Sequence, residues 1–334
     1  TRSIVGEPFY RFQSHLFIRM AFRLCRAYSL ISRKRVHLFA SKYSRSFADG
    51  VKKDITIEKS GDGVTLITLN RQSGKNSFSN TFLTDFEDMT SRLHQEIENE
   101  DTRADVRCVV IASSVPNVFC AGADLKERLS MQEDDVERFV TRLRAAMFAW
   151  ESLPVPTIAA IDGAALGGGL ELALACDLRY ASENALLGLP ETALAIIPGA
   201  GGSQRLPRIV GPAKAKELIF LAKRISGRES ADIGLVTECV EEDKSPDSSG
   251  NRSDSTISSS TLDTALKVAK QIAQKGPIGI LMAKKAINEG MQAPSMEAAM
   301  QVETLCYGQT VRTSDRVEGL RSFVEKRKPN YQGR

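Results

Sequence analysis

The chain is poor in histidine: His15, His37 and His94 are the three present in 334 residues. Two of them lie in a basic amino-terminal stretch, and His94 falls where a helix is expected to turn a polar face outward. Chemistry through an active-site histidine finds no support, and neither does an imidazole-ligated zinc. Cysteine is scarce and scattered, at Cys25, Cys108, Cys120, Cys176, Cys239 and Cys306, with no C-x-x-C pair. Most of these sit in apolar runs, which predicts buried free thiols rather than disulfides or metal ligands. A G-x-G-x-x-G after an early strand is absent, so no dinucleotide fingerprint is present. Long apolar runs are lacking near the amino terminus, where arginines break each one, and a membrane span is excluded there.

Acid is lacking at the start of the chain. Residues 1–48 hold ten Lys and Arg (Arg2, Arg11, Arg19, Arg23, Arg26, Arg33, Lys34, Arg35, Lys42, Arg45) against the single acid Glu7. Arg-rich, Ser-containing and acid-poor is the composition of a mitochondrial transit peptide. A basic tail for nucleic acid or membrane is the alternative. Met20 opens a stretch that suffices as a leader, so residues 1–19 are expected to lie upstream of the true start. Without the leader, 35 basic residues face 40 acidic ones, a net of about −5, whereas the whole chain is +4. The remainder shows no generic nucleic-acid surface.

Beyond the leader the pattern is α/β. Ile55–Lys59 and Val64–Asn70 flank a glycine turn and predict a hairpin. Asn70–Ser79 is a polar loop. Phe82, Phe86, Met89, Leu93 and Ile97 mark one stripe of a helix over 80–99. Its other face carries Asp85, Glu87, Asp88, Glu96 and Glu98 against Arg92. Val106–Ala112 reads as a buried strand, and 136–150 as a second amphipathic helix ended by Pro154 and Pro156. Strands are expected at Thr157–Ile161, Leu178–Ala181 and Ala185–Leu189, and helices near 213–221, 262–274, 278–289 and 297–306. The 54–240 segment is thus an αβ body and 262–334 a helical tail. The 241–261 stretch joining them is Ser-rich and solvated.

The chemistry gathers around glycine. Gly167, Gly168 and Gly169 follow an apolar strand and run into a helix that carries Glu171, an arrangement offering free backbone N–H groups to an anion. Cys120–Asp124 and Ile196–Gly202 form two more glycine turns, and Glu191 precedes the second of them. Two carboxylates in an apolar pocket can have their pKa values pushed apart, giving one acid and one base. Each signal has a plainer origin too: glycine triplets serve tight packing, and Glu171 suits a helix start.

The motifs together resemble the enoyl-CoA hydratase/isomerase (crotonase) family. They are Phe119–Lys126 (FCAGADLK), Ile161–Leu172 (IDGAALGGGLEL), Cys176-Asp177, Pro190-Glu191, Ile197–Leu206 (IPGAGGSQRL) and Phe323–Arg327. The resemblance runs from about Ile55 to Gly333. It implies an α/β crotonase (ClpP-like) ββα superhelix with a helical carboxy-terminal region for trimerisation. By the same resemblance, the N–H groups of Ala123 and Gly168 are the oxyanion hole, and Glu171 and Glu191 the catalytic pair. Lys75, Ser77, Ala123, Asp124, Leu125, Lys126, Tyr307 and Lys326 are expected to contact the CoA portion. The implied reaction adds water across the 2,3-double bond of a short or branched 2-enoyl-CoA, 3-methylglutaconyl-CoA among the candidates, in fatty-acid or branched-chain amino-acid breakdown. Having both glutamates favours hydration over Δ3-Δ2 isomerisation. No metal or cofactor is implied beyond the CoA of the substrate. The expected partners are the acyl-CoA and further copies of the chain, as a homotrimer or homohexamer in the mitochondrial matrix, with no membrane. The mitochondrial branch of the family includes an RNA-binding member with a lysine-rich first helix. The acidic 80–99 helix departs from it and argues against RNA binding.

Overall fold

The computed structural model describes residues 54–99, 102–241 and 259–334, which fall in the compact unit Lys52–Arg334. The leader, and the serine-rich stretch from 242 to 258, lie outside the described residues.

Strands β1 (Ile55–Lys59) and β2 (Val64–Leu69) form the expected hairpin, in register from Ile55↔Leu69 to Lys59↔Thr65. Helix α1 (Asn80–Glu98) follows, capped by the Ser79 hydroxyl, which accepts from the Phe82 N–H. The chain then repeats one unit: a strand, a second short strand, a helical segment. These pairs are β3 (Cys108–Ser113) with β4 (Val118–Cys120), β5 (Thr157–Ile161) with β6 (Ala164–Leu166), and β7 (Leu178–Ser182) with β8 (Leu186–Gly188). The first strand of each pair enters one sheet and the second enters another.

The larger sheet is completed by β10 (Glu238–Val240) and has the order β1-β2-β3-β5-β7-β10, parallel except at the hairpin. The smaller sheet includes β9 (Arg224–Ser226) and has the order β4-β6-β8-β9. This is the ββα superhelix that the resemblance implies.

Helices α2 (Leu125–Leu129) and α3 (Glu133–Glu151) follow β4, and α4 (Gly168–Leu174) follows β6. After β8 come a 3-10 turn at Pro190–Leu194, α5 (Gly202–Val210) and α6 (Pro212–Phe220). Helix α7 (Gly227–Asp232) lies between β9 and β10. Sequence periodicity misses β4, β6 and α5. Three-residue strands carry no period-two signal, and α5 contains Pro207, a residue normally read as a helix breaker.

Both faces of the larger sheet are buried, as continuous apolar strands require. On one face Ile67, Leu69, Val109, Ile111, Ala159 and Ile161 join the main core. On the other, Val64, Cys108, Val110, Ala112, Ile158 and Ala160 meet Leu262, Ala265, Ala269 and Ala273 of helix α8 (Ser260–Ala273). The α1 stripe packs Phe82 and Phe86 against Phe78 and Trp150, with ring centroids 5.4–5.8 Å apart. His94 is a correction. It is 8% exposed rather than on a polar face, because α1 packs against α3 and buries a wider stripe; its Nε2 lies 2.9 Å from the Ala149 carbonyl. Cys108, Cys120, Cys176 and Cys306 are buried free thiols and Cys239 is a half-buried one. Burial pushes Cys108 and Cys120 up to about 12 and Cys176 to about 11.

The carboxy-terminal helices are α9 (Pro277–Gly290), α10 (Met296–Val311) and α11 (Ser314–Val324). Helix α9 is tied to the body by Lys284. Its Nζ donates to Asp177 Oδ2 at 2.7 Å and to the Val155 carbonyl at 2.9 Å. The same Asp177 oxygen accepts from the Thr157 N–H at 2.7 Å. The lysine side chain is 10% exposed, so solvent screens the pair weakly. Lys284→Met is expected to cost about 2 kcal/mol in chemical denaturation, the loss of hydrogen bonds to a charged group. A change under about 0.5 kcal/mol, the range of ordinary surface substitutions, would show that the bridge is idle. No helix among the described residues is long and apolar enough to cross a membrane.

Candidate active site

The site begins where two turns touch. Between β4 and α2, Gly122 takes φ +94, a region open mainly to glycine. The Phe78 N–H donates to the Gly122 carbonyl at 2.7 Å, and the Asp124 N–H to the Phe78 carbonyl at 3.0 Å. In this parallel bridge the Ala123 N–H points away from Phe78. The start of α4 approaches the same turn. A side chain on Gly122 would lie 2.6 Å from the Leu166 carbonyl oxygen and 3.1 Å from the Gly168 nitrogen. Gly168 opens α4, so its N–H has no partner within the helix. A side chain on Gly168 would lie 3.7 Å from the Ala123 nitrogen. Two backbone donors from distant segments therefore sit side by side, a pairing that can hold a developing oxyanion.

The three consecutive glycines have separate jobs. Gly167 turns the chain at φ +52, with Glu191 Oε1 3.2 Å from where its side chain would be. Gly168 opens the helix with its N–H beside that of Ala123. A side chain on Gly169 would lie 2.1 Å from the Cys120 carbonyl oxygen, so glycine there lets α4 lie on β4. The strand leading into this turn is β6, not Thr157–Ile161 as the sequence suggests. The short β6 pairs with β4 and so delivers the glycine run to the Gly122 turn.

Glu171 is 2% exposed. Its Oε1 accepts from the Ala200 N–H at 2.8 Å and the Gly202 N–H at 2.7 Å. The third glycine loop therefore grips a catalytic candidate rather than offering donors to a ligand, and it follows a 3-10 turn rather than a strand. Burial raises the Glu171 pKa, opposed by those two N–H groups. The loop is itself held: Arg144 Nε donates to the Gly199 carbonyl at 3.0 Å and Arg205 Nη1 to the Ala200 carbonyl at 3.0 Å. Arg205 also forms a two-pronged pair with Glu151, at 3.0 and 2.7 Å. The sequence reading missed Arg144, Glu151 and Arg205, whose only signal was Arg205 within the IPGAGGSQRL motif.

Glu191 sits in the 3-10 turn with its buried Oε2 lacking a hydrogen-bond partner. Burial, with the charge of Glu171 adding, pushes its pKa up to about 7. Its folded value thus lies above the ordinary 4.5, so the folded protein holds this proton more tightly than the unfolded chain does. The stabilisation is present below the ordinary value and is lost as pH rises through about 7. Glu191→Gln is therefore expected to raise Tm more at pH 8 than at pH 5. An equal gain at both pH values in differential scanning calorimetry would refute the titration.

The residues expected at the CoA portion are placed as follows. Lys75 is exposed at φ +51, and its carbonyl accepts from the Ala121 N–H at 3.0 Å. Ser77 is buried, with its hydroxyl accepting from Arg71 at 2.9 Å. Asp124 pairs with Arg71 at 2.9 Å and caps α2. The side chains of Ser77 and Asp124 thus shape the Gly122 turn from within. Leu125 and Lys126 are exposed beside it. Tyr307 lies exposed on α10 and Lys326 lies exposed in the turn after α11, and neither shares a hydrogen bond or ion pair with the residues above. Phe139 and Leu143 are core, and Met131 packs partly buried against them. Among the described residues, no three His, Cys, Asp or Glu side chains gather as a metal site.

A family model described as enoyl-CoA hydratase/isomerase matches residues 59–334. The rat protein "Methylglutaconyl-CoA hydratase, mitochondrial" (Rattus norvegicus) is 44% identical over 277 residues, covering 83% of this chain and 82% of its own. An Arabidopsis thaliana protein named "Probable enoyl-CoA hydratase 2, mitochondrial" is 46% identical over 274 residues, covering 82% and 83%. Among solved structures, an enoyl-CoA hydratase from Bacillus anthracis superposes with TM-score 0.74 at 42% identity, covering 84% of this chain and all of that one.

Proposed function

The chain belongs to the enoyl-CoA hydratase/isomerase family, and we propose that it hydrates short or branched 2-enoyl-CoA thioesters to 3-hydroxyacyl-CoA. The observation that carries this reading is the pair Glu171 and Glu191 beside the Ala123 and Gly168 N–H groups. The two N–H groups receive the thioester oxygen as negative charge develops on it. Glu171, whose Oε1 is already held by two donors, is the carboxylate that takes a proton from water as the water oxygen bonds to C3. The C2–C3 π electrons move onto the thioester as an enolate. Glu191, whose free Oε2 and raised pKa suit the protonated form, delivers a proton to C2. Every proton and electron pair is accounted for by these groups and water, so no cofactor is required.

Within that class, 3-methylglutaconyl-CoA is favoured as a substrate by the name of the rat relative. The assembly we propose is a homotrimer, alone or paired as a hexamer. It is supported by the apolar surface of the carboxy-terminal helices, where Met291, Met296 and Phe323 are 77%, 74% and 84% exposed, a pattern that marks an interface. The matrix of the mitochondrion is the proposed location, supported by the leader composition and by the names of both relatives. RNA binding is disfavoured by the acidic face of α1. Two of its acids are engaged elsewhere, Glu87 with Arg142 and Glu96 with Lys59, and no lysine row replaces them. The test is a panel of crotonyl-, 3-methylcrotonyl-, 3-methylglutaconyl- and 3-enoyl-CoA with products identified by mass spectrometry. Hydration of the 2-enoyl thioesters is expected. Turnover of the 3-enoyl substrate alone would make the protein an isomerase.

A further inference from the structure

The direction of the Ala123 N–H is set by a series of hydrogen bonds that begins at a guanidinium. Arg71 Nη1 donates to the Ser77 carbonyl at 2.8 Å. That carbonyl shares a planar trans peptide with the Phe78 N–H, which therefore points the opposite way and donates to the Gly122 carbonyl at 2.7 Å. The Gly122 carbonyl in turn shares a peptide with the Ala123 N–H, which points away from Phe78 by the same geometry. Two peptide planes thus lie in series between Arg71 and the Ala123 N–H. Hydrogen bonds in series polarise one another, by roughly 10–30% per bond, and a charged donor strengthens the first of them. Every link here donates in the same sense, so a cation at the head makes the last N–H a stronger donor.

The head of the series is itself fixed. Arg71 Nη1 also donates to Ser77 Oγ at 2.9 Å, and Nη2 to Asp124 Oδ2 at 2.9 Å. Asp124 directly follows Ala123, and its N–H donates to the Phe78 carbonyl at 3.0 Å. One side chain therefore holds both segments of the Phe78–Ala123 bridge, a task that suits the rigid fork of a guanidinium. The Arg71 side chain is 18% exposed, so water competes weakly for these bonds. Gly74 leaves room for it, since a side chain there would collide with the guanidinium.

We propose that Arg71 is a positioning residue of the reaction, which orients and polarises the Ala123 N–H through the 77–78 and 122–123 peptides without touching the substrate. The proposal rests on the hydratase reading above, in which that N–H receives the thioester oxygen. Arg71→Met is expected to lower kcat for crotonyl-CoA about 10²-fold, the lower end of what losing an oxyanion donor costs, with KM changed less than about threefold. The readout that a packing role would not move is optical. 4-Dimethylaminocinnamoyl-CoA is a push–pull chromophore whose absorption moves to longer wavelength as its thioester carbonyl is polarised. Bound to wild type it is expected to be red-shifted, and the shift should shrink in Arg71→Met. Arg71→Lys, with one nitrogen in place of the fork, should fall between the two. Gly74→Ala keeps the charge and displaces the guanidinium, so both readouts should move the same way by less; it decides the matter if Arg71→Met does not fold. If kcat falls while the red shift keeps its wild-type value, or if Tm alone falls, Arg71 only holds the loop and the proposal is overturned. A wild-type complex with no red shift overturns it too. If wild type does not hydrate crotonyl-CoA, yet its red shift shrinks in Arg71→Met, the hydratase reading fails and the role of Arg71 at the Ala123 N–H stands.

Discussion

Glu171→Gln and Glu191→Gln, each alone, are expected to lower kcat for crotonyl-CoA hydration by about 10³-fold, with KM changed far less. Positioned proton transfer contributes roughly 10²–10⁴-fold, and each carboxylate moves a different proton. The two variants should fail for different reasons. Gln at 171 keeps a carbonyl oxygen that can still accept from the Ala200 and Gly202 N–H groups, so the loop stays in place while the base is gone. Gln at 191 cannot supply the C2 proton. The double variant is expected to be little worse than either single one, because residues acting in one step are not additive. Steady-state kinetics on all three, with circular dichroism to verify folding, makes the check. Singles that retain more than a tenth of wild-type kcat would remove this pair from the chemistry.

Gly122→Ala should be nearly as damaging, without touching a reacting group. The added methyl would fall 2.6 Å from the Leu166 carbonyl oxygen and 3.1 Å from the Gly168 nitrogen, both backbone atoms. Neither can rotate away, and alanine at φ +94 is itself strained. The two turns must separate, and the Ala123 and Gly168 donors separate with them. Loss of one oxyanion donor costs about 10²–10³ in kcat, and a displaced pair is expected to reach the upper part of that range. Gly61→Ala is the control, since nothing lies within 4 Å of a side chain there. An active Gly122→Ala enzyme with native Tm would show that the two turns do not form the oxyanion site.

The hairpin, the α1 stripe and the buried β3 were legible because their side chains repeat with the period of the backbone that carries them. Phe82, Phe86, Met89 and Leu93 are all buried as the spacing predicts. His94 was misread because helical spacing marks the centre of a stripe, while its width depends on the neighbouring helix. The acidic face of α1 was read correctly as a row of charges. Its partners Lys59 and Arg142 come from β1 and α3 and could not be seen locally.

The sequence by itself determined the chemical inventory: two glutamates, glycine turns, no histidine in the catalytic segments. Spacing and backbone preference list these pieces, and the family resemblance is what pairs Glu171 with Glu191. Only the tertiary structure decided how the inventory is shared out. Three glycine loops looked alike as sequence. One places the Ala123 N–H, one the Gly168 N–H beside it and the room for Glu191, and the third restrains Glu171 while two arginines hold it from behind. Glu171 and Ala200 are 29 positions apart and Arg144 and Gly199 are 55, brought together by three-residue strands too short to leave a periodic signal. Their geometry follows from the order in which the superhelix stacks its turns, and that order is a property of the folded chain.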